Sequence, residues 1–251
     1  MRTRLMATAG RAVSWSLGAV MTLGALPALG GCDEPRLADG CVVVVDGSGS
    51  GRADGGFDVA GELNGSLVKF VRDKGCRMVR FAPIALSSEA SPCRGEEVDV
   101  DPDYSGGGGV DREDVRNQRR GKALEVALQL LDCLHRQTDQ NGSDVLGGLK
   151  LAARARPADV PFHVLVVSDF IHADGVEYLN REDLSTEAKR AALIERYASE
   201  GRIADLSGAS VYGLGFGQLY KTGKAGAFDR FETFWKTLLL DHAHAAQFHV
   251  L

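Results

Sequence analysis

The sequence predicts an α/β domain: a doubly wound, mostly parallel central sheet with helices on both faces. Three observations carry this. Short apolar runs such as Val42 to Val45 and Val164 to Val167 do not alternate with polar residues. Strands buried on both faces read that way. Longer segments with apolar residues at helical spacing lie between these runs. Strand and helix patterns also alternate along the chain, as in βαβ units.

The first strand spans about 41–46. A helix follows at 57–73, with Val59, Leu63, Leu67, Val68 and Val71 on one face and Gly75 as its stop. A second strand runs 76–86, where Pro83 predicts an edge position or a bend. Residues 87–110 are irregular, with a short third strand near 96–100. Asp99, Asp101 and Asp103 then read as a solvated acidic turn before the run Gly106 to Gly109. This glycine-rich insertion is a candidate for partner contact. A long helix at 112–136 and a shorter one at 144–155 lead to a strand that ends at Asp169. A polar loop, 170–185, precedes a helix at 186–200 and a strand at 210–216. An aromatic helix through Phe231 and Trp235 and a terminal edge strand at 248–251 complete the pattern.

Residues 1–31 read as an export signal, not as part of the fold. Arg2, Arg4 and Arg11 make a basic start, an apolar stretch follows, and small residues close it. The ending Leu29-Gly30-Gly31-Cys32 resembles a bacterial lipobox. That resemblance implies lipidation of Cys32, a tether over 32–40, and a domain over 41–251 facing the periplasm or exterior from a membrane. From Cys32 onward there are 26 Lys and Arg against 34 Asp and Glu, a net charge of −8. Nucleic-acid binding needs basic patches, so this balance argues against it.

The chemistry concentrates in Asp46-Gly47-Ser48-Gly49-Ser50, directly after the four valines. One carboxylate and two hydroxyls at alternate positions would leave a strand at the sheet's carboxyl edge, where such sheets bind ligands. Hard divalent cations take oxygen donors of this kind. Two later segments complete the pattern: Ser143 opening a loop before a helix, and Asp169 ending a buried strand. Together they resemble the metal-ion-dependent adhesion site of von Willebrand factor A domains. In that family the loop usually carries Thr where Ser143 stands, and the hydroxyl is kept. The resemblance implies Mg²⁺ or Mn²⁺ held by Asp46, Ser48, Ser50, Ser143 and Asp169. It also implies a protein partner that presents a carboxylate, and binding rather than catalysis. Arg52 is a candidate to steer that carboxylate.

Cys41, Cys76, Cys93 and Cys133 form an even set in an exported chain, so two disulfides are expected, with three pairings open. The family fold would place the strands of Cys41 and Cys76 side by side, which favours that pair. Cys93–Cys133 would be a longer clamp. Two rival functions stand beside the metal-dependent one. One is a metal-free scaffold of an envelope complex. The other is a nucleotide- or phosphate-binding enzyme, suggested by Gly47, Gly49 and Gly51, although they lack the dinucleotide spacing and a following P-loop lysine. His172 reads as a polar loop residue that could reach the site rim, and His242, His244 and His249 as surface residues.

Overall fold

In the computed structural model the described residues are 35–49, 56–104, 111–137, 142–221 and 225–251. The elements are β1 (Asp39–Asp46), α1 (Val59–Asp73), β2 (Cys76–Ile84), β3 (Val98–Asp99) and α2 (Arg112–His135), then α3 (Val145–Arg154) and β4 (Phe162–Val167). They continue with α4 (Glu187–Ser199), β5 (Ala209–Leu214), α5 (Ala227–Thr237) and β6 (Gln247–Val250). The predicted elements all form, with ends shifted by a few residues. β1 starts two residues earlier than expected, inside the stretch read as tether.

The six strands lie in the order β3-β2-β1-β4-β5-β6, all neighbours parallel except the β2/β3 pair. This is the doubly wound arrangement the sequence predicts. Strand pleating splits the valine run between two cores. Val42 and Val44 face α3, α4 and α5 together with Val164 and Val166. Val43 and Val45 face α1 and α2 together with Leu165 and Val167. Pro83 pairs with Val45 on β1, beyond the two residues where β3 borders β2. The outer side of β2 is therefore unpaired at Pro83, where a missing N–H costs nothing.

Both disulfides form: Cys41–Cys76 joins β1 to β2, and Cys93–Cys133 ties the irregular segment to the end of α2. The acidic turn departs from expectation. Asp101 is buried, not solvated. Its carboxylate accepts two hydrogen bonds from Arg116, at 3.1 and 2.9 Å, and one from the Leu37 N–H at 2.8 Å. Arg116 also donates to the Pro35 carbonyl. The pair thus pins the segment that leads into β1. Helical periodicity alone gave no hint that Arg116 faces inward. The glycine run 106–109 lies outside the described residues.

Candidate functional site

The strand order reverses between β1 and β4, and ligands bind open α/β sheets at the carboxyl ends of such a pair. Val45 pairs with Val167, so Asp46 and Ser168 leave the sheet side by side. Three of the sequence-predicted residues, Asp46, Ser48 and Ser143, meet here. Asp46 Oδ2 accepts hydrogen bonds from the Ser143 hydroxyl at 2.9 Å and the Ser168 hydroxyl at 2.6 Å. Its Oδ1 accepts the Ser48 N–H at 2.9 Å. These groups converge from positions 97 and 122 residues along the chain.

Each arm of the site is held by local chemistry. Asp46-Gly47-Ser48 turns tightly because α2 lies against it. A β-carbon on Gly47 would sit 2.2 Å from Leu134 Cβ. The Ser143 arm is pinned from two sides. Ser143 and Ala173 exchange backbone hydrogen bonds of 2.5 and 2.8 Å. Asp144 caps α3 by accepting the Gly147 N–H, and its own N–H donates to the Ala85 carbonyl. Ser88 adds two bonds to Asp144, one through its N–H and one through its hydroxyl. Gly142 is required where it stands, since a β-carbon would meet Leu86 Cδ1 at 2.4 Å and the Ala173 carbonyl at 2.5 Å.

The Asp169 arm turns sharply. Phe170 has φ 63°, a left-handed conformation that is strained for a bulky residue. Its fully buried ring lies against Phe216 and Trp235, at centroid distances of 4.9 and 5.3 Å, and this packing holds the turn. The Phe170 N–H donates to Ser168 Oγ, and Asp169 Oδ1 accepts the Ile171 N–H. Asp169 then lines a cleft of about 360 Å³ with Ser48, Ser143, Asn180, Arg181 and Leu219.

Burial pushes the Asp46 carboxyl above its ordinary pKa, and the bonds from Ser168, Ser48 and Ser143 only partly counter this. Among the described residues it is hydrogen-bonded by hydroxyls and an N–H, not by a cationic side chain. Nor is there, among the described residues, a group of three His, Cys, Asp or Glu side chains arranged to hold a metal ion. What the site offers is the Asp46 carboxylate with the Ser143 and Ser168 hydroxyls on it, and the Asp169 carboxylate in a cleft shared with Ser48 and Ser143. This all-oxygen, partly anionic set fits a hard divalent cation that keeps some of its waters.

Ser50, Arg52 and Cys32 lie outside the described residues. Sequence reading missed Ser168, although its place immediately before Asp169 was a usable signal. It also missed Asn180 and Arg181, which only the folded loop brings to the cleft. His172 is corrected: it is buried, not at the rim. Arg202 Nη2 lies 2.6 Å from His172 Nε2. A guanidinium only donates, so Nε2 accepts. His242 is half-buried, while His244 and His249 are exposed, as expected.

No family model matches the chain, and no curated protein does. Solved structures similar to it include the following two. One is a von Willebrand factor type A protein from Catenulispora acidiphila, at 18% identity and TM-score 0.37, covering 86% of this chain and 39% of that one. The other is the manganese-loaded TRAP protein of Plasmodium vivax, at 16% identity and TM-score 0.33, covering 78% of this chain and 61% of that one. The chain thus spans less than two thirds of either structure.

Proposed function

We propose that this chain is a binding protein of the von Willebrand factor A type, which uses a divalent cation at the β1/β4 edge to engage an acidic group on a protein partner. One observation carries the reading. Asp46 gathers Ser48, Ser143 and Ser168 around a buried carboxylate, beside a cleft that Asp169 lines. Asp46, Ser48, Ser50, Ser143 and Asp169 would hold Mg²⁺ or Mn²⁺. When bound, the cation supplies an electrophilic coordination position for a partner's carboxylate. The residues around it do the orienting. The Asp144 cap fixes the Ser143 hydroxyl, and the Phe170 turn fixes the Asp169 carboxylate.

Two features support binding over phosphate or nucleotide chemistry. The glycine of the first turn packs against Leu134 and does not open a phosphate cradle. The histidine next to the site in sequence is buried with its Nε2 against Arg202. In the cell the protein would be an envelope lipoprotein held through Cys32.

The test is thermal unfolding of the full chain in Mg²⁺, Mn²⁺ or EDTA, beside Asp46→Ala. A ligand present at 100 times its Kd stabilises by about 2.7 kcal/mol. A metal-dependent rise that Asp46→Ala abolishes is expected. The same melting temperature in all three conditions would leave the metal-free scaffold as the better account.

A further inference from the structure

The cleft beside Asp169 has a basic residue that the acid-binding pattern in the sequence does not include. Arg181 lines it, and also lines an adjoining cleft of about 390 Å³ with Val176, Glu177, Tyr178, Glu182, Arg196, Glu200 and Arg202. Its setting differs from that of the two neighbouring arginines. Arg196 is paired with Glu177 and Glu182, and Arg202 with Asp174, Glu177 and Glu200. Asp183, nearby in sequence, is taken by Lys189. Every acid close to Arg181 in this loop therefore has a cationic partner already. Arg181 itself has no ion pair among the described residues.

Arg181 is nevertheless held in place. Its guanidinium carbon lies 4.2 Å from the centroid of the Tyr178 ring, a stacking arrangement that fixes the plane of the fork. Tyr178 is fixed in turn by its bridge to Ala173, the residue that also bonds Ser143. The backbone at Arg181 belongs to a short 3-10 turn, Leu179–Arg181. That turn is pinned by Leu179 N–H to the His172 carbonyl at 2.8 Å and by Arg181 N–H to the Tyr178 carbonyl at 2.9 Å. Leu179 is buried beneath it. An exposed arginine usually spends rotamer entropy on each contact it makes. Here the stack has already removed much of that freedom, leaving the N–H edge of the fork for a planar acceptor.

We propose that Arg181 is the specificity-determining residue of the cleft, gripping the Asp or Glu carboxylate of a protein partner through its fork. The inference rests on reading the cleft as a binding site, but it does not need a metal there. The acceptor is a carboxylate on a peptide. Phosphate shares the fork geometry, so the experiment separates the two.

The experiment is fluorescence polarisation of the full chain against labelled glycine pentapeptides whose central residue is Asp, Asn or phosphoserine, in Mg²⁺ and in EDTA. Arg181→Ala and Arg181→Lys are run beside the wild type, with melting in Mg²⁺ as a check on the fold and on metal. Wild type should bind the Asp peptide in preference to the Asn peptide. Arg181→Ala should lose about tenfold in affinity for the Asp peptide, the order expected for a charge-assisted pair. Arg181→Lys, with charge but no fork, should recover only part of it. The metal-dependent melting shift should not change in either variant. Equal affinity of Arg181→Ala and wild type would overturn the proposal. So would equal binding of Asp and Asn peptides, preference for phosphoserine, or no peptide binding by wild type at millimolar concentration. Arg181-dependent Asp binding with no metal shift would sink the metal reading alone. A metal shift without Asp discrimination would sink this proposal alone.

Discussion

Replacing Cys93 and Cys133 with Ala should destabilise the domain by about 4 kcal/mol, and the chain separation explains why. The disulfide closes a loop of 40 residues. Without it the unfolded chain regains loop-closure entropy of about 13 cal/mol/K, or roughly 3.9 kcal/mol at 25 °C. Packing changes add to this, because Cys93 is wholly buried and its sulfur accepts a hydrogen bond from the Gln137 amide at 3.1 Å. Cys41–Cys76 closes a separate loop of 35 residues, worth roughly 3.8 kcal/mol on the same model. The two loops do not overlap in sequence, so their effects should add. Their combined size is comparable to the whole stability of an ordinary domain, about 5–15 kcal/mol. The assay is thermal and urea unfolding of wild type, each double-Ala variant and the quadruple variant, with and without reductant. Each double variant should melt about 8–16 °C lower, at the 2–4 °C per kcal/mol typical of domains this size. Reduced wild type should behave like the quadruple variant and be largely unfolded at 37 °C. A shift below about 3 °C for either double variant would refute the reasoning. It would mean that the sheet and α2 already restrict the unfolded chain, or that the bond adds nothing to the native state.

Asp46→Asn should change sign with metal. Burial raises the Asp46 carboxyl, so in EDTA the ionised group costs stability. That cost is absent below the ordinary carboxylate pKa and sets in as pH rises through the raised folded value. Melting in EDTA should therefore favour the Asn variant increasingly from acid to neutral pH, while Mg²⁺ should favour wild type. Asp101 titrates in the opposite sense. Burial alone would raise it, but hydrogen bonds from Arg116 and the Leu37 N–H, with the charges of Arg116 and Arg112, hold it below the ordinary value. Its contribution is complete above that ordinary value and is lost as pH falls through the folded one. Asp101→Asn should cost about 3–5 kcal/mol at neutral pH by stranding Arg116, and the loss should shrink in acid urea titrations. Gly47→Ala should cost about 1–3 kcal/mol by forcing a methyl into Leu134. Leu134→Ala in that background should show favourable coupling in a double-mutant cycle of unfolding free energies, and strict additivity would contradict the packing contact.

The sequence alone determined the layer architecture and the locations of most elements. Val42 to Val45 and Val164 to Val167 are too uniformly apolar to be anything but doubly buried strands, and the helices between them show their own period. It also pointed to Asp46, Ser48 and Ser143, which the fold does bring together, because Asp46 stands at the end of such a run. Local pattern could not decide what the loops do in space. The Arg116–Asp101 pair joins residues that each look solvated in sequence, and only the packing of α2 against the chain's entry into β1 makes them a buried pair. His172 is drawn inward by contact with Arg202, thirty residues away. Arg181 reaches the cleft because Tyr178 and Leu179 anchor a turn that carries no periodic signal. Side-chain period reports which face of an element is buried. The company a loop residue keeps is set by long-range contacts, and those exist only once the sheet has formed.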